Sequence, residues 1–181
     1  MPVRSPLSLL AALLPLLLLI AACNNTDANG TGVADERATT VVYLTRHAEK
    51  AAGEDPGLLP AGEARAARLA RRLQDENLTA VYATGYRRTQ ATAAPAAKAA
   101  GLTVREYEAG GAAAAQTKAW LTRHRGGTIL VVGHSNTVPD LLNALVGRRR
   151  YGNIDEAEYG RLFRVTVPAK GKARVEELSS D

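Results

Sequence analysis

The chain alternates between short apolar runs and longer segments with helical spacing. Four apolar runs have the length and β-branched content of buried strands. They span residues 40–45, 80–83, 102–107 and 128–132. Each is followed by an amphipathic stretch, and these helices are predicted at 61–76, 87–100, 112–125 and 137–146. Strict alternation of this kind predicts an α/β fold with three layers, α/β/α, around a mainly parallel central sheet.

The last part of the chain has a different pattern. Residues 161–167 alternate apolar with charged or polar positions, which is typical of a half-exposed strand. A turn near Lys170-Gly171 then leads into 173–176. The pattern predicts an edge hairpin.

A separate N-terminal segment precedes the domain. Residues 7–22 are almost wholly apolar and follow Arg4, and sixteen residues suit the hydrophobic part of a signal peptide better than a spanning helix. The segment ends in Ile20-Ala21-Ala22-Cys23, which resembles the lipobox of bacterial lipoproteins. In those proteins the chain is cut before the cysteine, whose sulfur carries a diacylglycerol. The alternative is an ordinary secretory signal or an uncleaved anchor.

The predicted organisation follows from these segments. Residues 1–22 form a lipoprotein signal peptide, residues 23–39 a lipidated Cys23 with a flexible tether, and residues 40–181 one domain. Cys23 is the only cysteine, so no disulfide can form within the chain. The chain has a formal net charge of +5. It has no stripe of lysine and arginine with interleaved aromatics, so the sequence does not predict nucleic-acid binding.

Two histidines follow two of the predicted strands. Arg46 and His47 end the first strand, and His134 follows the fourth. The carboxyl ends of parallel strands meet at one edge of the sheet, where such folds bind ligands. Arginine binds phosphoryl oxygens through a fork of donors, and a neutral histidine is a competent nucleophile. The pattern predicts phosphoryl transfer with histidine as the nucleophile.

Three ordered blocks make a family resemblance specific. The segment Leu44–Lys50 (LTRHAEK) resembles the RHG/RHA-E signature of the histidine phosphatase superfamily, the clan of phosphoglycerate mutases and histidine acid phosphatases. The second block of that family matches Thr84–Ala93, and the third matches Gly133–Asn136. The resemblance implies a phosphoglycerate mutase-like fold of branch 1. It also implies that His47 is phosphorylated, with Arg46, Arg88 and His134 around the phosphoryl group.

Phosphoryl transfer can also require a metal ion and a general acid, and the sequence gives weaker signals for these. The chain has neither a P-loop nor a cluster of metal ligands at the usual spacing, so the expected chemistry needs no metal and no cofactor. A general acid for the leaving group is expected from the loop after the third strand, as in relatives. Glu108 is the candidate and Glu106 the runner-up. Without an acid, the enzyme would favour labile phosphoramidates or activated esters.

Several charged or aromatic residues have simpler interpretations. His124 is predicted to be a charge complementing the dipole at a helix end. Arg148-Arg149-Arg150 is predicted to be a solvated helix cap, with the mouth of the pocket as the alternative. Trp120 is assigned to the core. Three acids are assigned to a solvated loop before the last strand: Asp155, Glu156 and Glu158.

The sequence therefore predicts an exported lipoprotein phosphatase that acts on phosphate monoesters or phosphoramidates. Its substrate is expected to be a small phosphorylated compound or a phosphoprotein. The lipid on Cys23 would hold it at the periplasmic side of the envelope or at the cell surface. Two alternatives remain open, a mutase-like phosphotransferase and a non-catalytic lipoprotein that binds an anion or a partner.

Overall fold

The structure, a computed structural model, describes Met1 and residues 38–180. The predicted signal peptide, Cys23 and nearly all of the predicted tether lie outside the described residues. Strands and helices alternate, and their bounds are β1 (Thr40–Arg46), α1 (Pro60–Arg72), β2 (Leu78–Thr84), α2 (Arg87–Ala99), β3 (Val104–Tyr107), α3 (Ala113–Arg123), β4 (Thr128–Gly133), α4 (Thr137–Val146), β5 (Arg161–Val167) and β6 (Arg174–Ser179). No helix in the described part of the chain has the length and hydropathy to cross a membrane.

The six strands form one mixed sheet in the order β3-β2-β4-β1-β5-β6. Strands β1 to β4 are mutually parallel, and β5 is antiparallel to both β1 and β6. Arg46 pairs with Gly133 across β1 and β4, so these two strands end at the same level. The predicted α/β fold with a mainly parallel sheet is confirmed.

Alternation along the strands divides the core into two layers of contacts. On β1, Val42 and Leu44 pack on one face with Trp120 of α3 and Val138 of α4. Tyr43 points to the other face, which is covered by α1 and α2. The sheet therefore lies between two pairs of helices, and Trp120 is a core residue as predicted.

Element ends differ from the sequence prediction by up to four residues, and the two largest differences are at the ends of α1 and β6. Helix α1 ends at Arg72 rather than 76, and the chain then turns through Asn77, which has a φ of 49°. Strand β6 extends to Ser179 because it pairs along all but the last residue of β5, from Arg161 to Thr166. Neither difference moves the predicted site.

The loop after β1 is closed at its base by backbone contacts. The amide of Leu59 donates to the carbonyl of Glu49 (2.9 Å), and Lys50 and Leu58 form an antiparallel bridge. A Cβ added at Gly62 of α1 would lie 2.2 Å from the Glu49 carbonyl oxygen. The absence of a side chain at position 62 therefore lets α1 support the chain directly after the first strand.

Helix α4 carries the chain from one end of the sheet to the other. It begins at Thr137, next to His134, and ends at Val146, where Gly147 adopts a left-handed conformation with φ 69°. The exposed residues Arg148–Arg150 therefore lie at the end of the sheet opposite His134. They do not line a pocket beside the two histidines, which removes that alternative.

Candidate active site

His47 is held by the end of the sheet. Its amide continues the β1–β4 ladder by donating to the carbonyl of Gly133 (2.9 Å). Its Nδ1 lies 2.8 Å from the carbonyl of Ala48, so Nδ1 carries the proton and donates it to that oxygen. The amide of Ala48 in turn donates to Thr92 of α2 (3.0 Å). These bonds fix the imidazole in the tautomer that leaves Nε2 unprotonated.

Burial keeps the His47 imidazole neutral. Removal from water lowers its pKa to about 4, and the neighbouring charges of Arg46 and Arg88 act in the same direction. The hydrogen bond to Ala48 opposes this effect but does not cancel it. At neutral pH the side chain therefore has a lone pair on Nε2, as a nucleophile requires.

His134 lies beside His47, with 5.6 Å between ring centroids. Its Nε2 is 2.9 Å from the Thr84 hydroxyl, and its Nδ1 is 3.5 Å from Nη2 of Arg88. A guanidinium can only donate, so Nδ1 accepts and the proton belongs on Nε2, where Thr84 receives it. Burial and Arg88 lower the pKa of His134 to about 4. His134 is therefore also neutral.

Thr84 connects β2 to this arrangement. Its hydroxyl contacts both His134 Nε2 and the Thr89 hydroxyl, each at 2.9 Å. Thr89 donates to the carbonyls of Thr84 and Tyr86 at the start of α2. The hydroxyl at position 84 therefore orients the second histidine, and Thr84 is fully buried.

Arg88 supplies the cation on the open side of the site. Its guanidinium lies 4.5 Å above the ring of Tyr86 and 3.6 Å from the exposed carboxylate of Asp55. Its Nε is buried and has no protein partner. A buried N–H donor without a partner can bind an anion in the cavity.

Arg46 is enclosed rather than open. Its Nη1 donates to the carbonyls of Asp155, Glu156 and Glu158, at 2.9, 2.9 and 3.2 Å. Its Nη2 donates to the Glu156 carboxylate (2.5 Å), and the ring of Tyr159 lies 4.5 Å from the guanidinium carbon. Only 1% of the Arg46 side chain is exposed.

These side chains surround a cavity of about 350 Å³. Its lining residues are His47, Lys50, Tyr86, Arg88, Ala109, Gly110, His134, Ser135, Asn136, Thr137 and Glu156. The structure thus brings His47, Arg88 and His134 together at one cavity. Arg46 adjoins it but is separated from it by the Glu156 carboxylate.

The carboxylates differ from the sequence expectation. Glu108 is exposed at the end of β3, and its neighbours Ala109 and Gly110 line the cavity while its own side chain does not. The Glu106 carboxylate lies against Gly85. The carboxylate in the cavity belongs to Glu156, which sequence reasoning assigned to a solvated loop. The only signal for it was an acidic cluster in an irregular segment.

His124 lies outside the site. It caps the end of α3, and its Nε2 contacts the hydroxyl of Tyr82 at 2.8 Å. Burial lowers its pKa, as do Arg105 and Arg123. His124 therefore lies at the helix end as predicted, but partial burial among cations disfavours the charge that the prediction gave it.

The described residues contain no cluster of potential metal ligands. Nowhere in residues 38–180 do three or more His, Cys, Asp or Glu side chains meet in a geometry that could hold a metal ion. The side chains that line the cavity instead include the cations of Lys50 and Arg88, which suit an anionic ligand.

Comparison with known proteins gives a family model that matches part of this chain and solved structures that share its fold. Residues 42–109 match the model of the histidine phosphatase superfamily (branch 1), a segment that contains Arg46, His47 and Arg88. Comparison with curated proteins gave no match.

Several solved structures with the same fold and low sequence identity are named as phosphatases. The protein histidine phosphatase SixA, complexed with tungstate, is 17% identical, with a TM-score of 0.63 over 77% of this chain and 97% of that one. A mycobacterial glucosyl-3-phosphoglycerate phosphatase is 14% identical (TM-score 0.60; 79% and 100% covered). An Entamoeba histolytica phosphoserine phosphatase in complex with 3-phosphoglyceric acid is 16% identical (TM-score 0.58; 78% and 98% covered).

At these identities the solved structures support the fold alone. The segment 42–109, which contains Arg46, His47 and Arg88, is similar to the histidine phosphatase superfamily (branch 1).

Proposed function

We propose that this protein is a metal-independent phosphatase that hydrolyses phosphate monoesters or phosphoramidates through a phosphohistidine on His47. One observation carries the proposal. The His47 ring is neutral and donates its Nδ1 proton to the carbonyl of Ala48, which leaves Nε2 as a nucleophile beside the cation of Arg88.

In the first step, the lone pair of His47 Nε2 attacks phosphorus. An N–P bond forms, and the bond from phosphorus to the leaving oxygen or nitrogen breaks. The electron pair departs with the leaving group, which takes up a proton from solvent. Arg88 donates to the equatorial oxygens, where negative charge is spread in the transition state.

In the second step, water attacks phosphorus and the N–P bond breaks. Its electron pair returns to Nε2, one proton of the water passes to solvent, and inorganic phosphate leaves. The bond from Nδ1 to Ala48 holds the ring in place, so the same tautomer is regenerated.

The carboxylates favour substrates with good leaving groups. Glu156 lines the cavity, but the hydrogen bond from Ser135 holds its pKa below the usual range, so it is ionised at neutral pH and has no proton to give. Glu108 stays a predicted acid whose side chain lies outside the cavity lining. Phosphoramidates and activated esters, which need little help from an acid, are the substrates that fit this arrangement best.

The same proposal includes export and lipidation of Cys23. It is supported by the apolar segment 7–22 that precedes the cysteine. The start of β1 at Thr40 gives further support, because it lies at the sheet end away from His47. Exposed cations surround a second cavity at that end, which suits a domain near anionic lipid. They are Arg148, Arg150, Lys172 and Arg174.

Replacing the nucleophile should abolish turnover. We expect His47→Gln to reduce hydrolysis of p-nitrophenyl phosphate by at least about 10³-fold, because the covalent route is lost. The variant should also form no acid-labile phosphoenzyme with a radiolabelled donor. His124→Gln, outside the site, is the matched control and should retain activity. Undiminished turnover in His47→Gln would refute the assignment.

The protonation of His47 gives a direct test of the site's electrostatics. We expect its ring to titrate with a pKa of about 4, since burial and two arginines disfavour the cation. The ring is then neutral, and competent to attack, throughout the range above pH 5. The measurement is an NMR titration of ring C–H signals, assigned by their loss in His47→Gln. A midpoint near 6.5, the ordinary value for histidine, would contradict the burial argument.

The predicted acid can be tested through the leaving group. If Glu108 delivers a proton, Glu108→Gln should lower kcat/KM for an alkyl phosphate by about 10²-fold or more, because a poor leaving group depends on the proton. The effect on p-nitrophenyl phosphate should be much smaller. Glu176→Gln, an exposed acid on the edge strand β6, is the control and should leave both activities unchanged. Equal losses for both substrates would remove Glu108 from this role.

If Cys23 is lipidated, its replacement should move the protein out of the membrane fraction. We expect Cys23→Ser to lose incorporation of radiolabelled palmitate and to move from the membrane to the soluble fraction, since each buried CH₂ of an acyl chain contributes about 0.8 kcal/mol to anchoring. Thr31→Ser, in the predicted tether, should behave as the unaltered protein. Membrane retention of Cys23→Ser without label would indicate an uncleaved anchor instead.

A further inference from the structure

The guanidinium of Arg46 has one edge that is only half used. Its Nη1 is fully engaged by the carbonyls of the loop before β5. The other edge, formed by Nε and Nη2, has a single bond, from Nη2 to the Glu156 carboxylate, while Nε is buried without a partner. Such an edge can donate two parallel hydrogen bonds to one phosphoryl group.

Glu156 occupies this edge as an anion at an anion site. Its Oε2 accepts from Arg46 Nη2 (2.5 Å) and its Oε1 accepts from the Ser135 hydroxyl (2.6 Å). The carboxylate faces the same cavity as His47 and Arg88. It therefore lies between Arg46 and any phosphoryl group bound in that cavity.

The Glu156 side chain is free to leave without disturbing the loop. It is 74% exposed, so water can take over its solvation. The loop itself is held by backbone groups, through the bond from the Ile154 amide to the Ser135 carbonyl (2.9 Å) and the carbonyls bound by Arg46. Arg46 thus keeps its position when the carboxylate turns away.

We propose that Glu156 is a resident competitor of the phosphoryl group, whose carboxylate holds Arg46 until the substrate's phosphoryl oxygens replace it. The proposal deepens the proposed function, since it assumes that the cavity binds phosphate. It assigns Glu156 to control of binding and product release rather than to proton transfer. Return of the carboxylate to Arg46 after hydrolysis would expel inorganic phosphate, because the two anions repel and share one donor edge.

The test is the affinity for inorganic phosphate and for tungstate, measured by calorimetry on the full chain. With one competing charge removed from the cavity, we expect Glu156→Gln and Glu156→Ala to bind both anions about tenfold more tightly than the unaltered protein. Product inhibition by phosphate should strengthen in proportion. Glu158→Gln is the matched control, because Glu158 is an acid of the same loop whose carboxylate pairs with Arg161 instead. It should change affinity less than twofold.

Two outcomes would overturn the proposal. Weaker binding in Glu156→Gln and Glu156→Ala, of the kind expected for Arg46→Ala, would make Glu156 a support for Arg46 rather than its competitor. Unchanged binding would mean that the carboxylate and the anion occupy separate positions. Failure of the proposed function is distinguishable, because it would appear as phosphate binding without any turnover of a phosphorylated substrate by the unaltered protein.

Discussion

The parallel register of β1 and β4 is the constraint on which the site depends. Arg46 pairs with Gly133, so the residues that follow both strands emerge side by side at one edge of the sheet. The amide of His47 extends that ladder by one bond, which places its ring within 5.6 Å of the His134 ring. A Cβ at Gly133 would lie 2.6 Å from the Thr137 hydroxyl, so a glycine is needed where β4 meets α4.

The histidines and the arginines of the site differ in charge. The imidazoles are neutral chiefly because they are buried, and the guanidinium groups beside them act in the same direction. The two arginines differ in what surrounds them. Arg88 faces the cavity, whereas Arg46 is enclosed by backbone carbonyls, Tyr159 and Glu156. One arginine is thus available at once and the other only after an exchange of partners.

Sequence reasoning succeeded where a regular element sets the position of a side chain. Periodicity located the strands. His47 and His134 follow the ends of β1 and β4, and Arg88 lies in the first turn of α2, so the three side chains meet at one cavity. Sequence reasoning placed Glu156 in a solvated loop, where the side chain is indeed exposed, but it did not find the contact with Arg46, because the loop before β5 has no periodicity and its course is set by tertiary bonds to Arg46. It also did not anticipate the lowered pKa of His124, which comes from burial and from Arg105 and Arg123 and so depends on tertiary contacts.

The closed base of the loop after β1 has a consequence for how such a domain can diversify. Backbone bonds between Glu49 and Leu59, and between Ala51 and Gly57, shut the loop before its tip begins. Residues 52–54 can therefore be lengthened, shortened or rewritten while His47 stays held by the sheet, whereas Asp55 ties the loop to Arg88 through its carboxylate (3.6 Å). Variation at this tip is thus separated from the bonds that position His47.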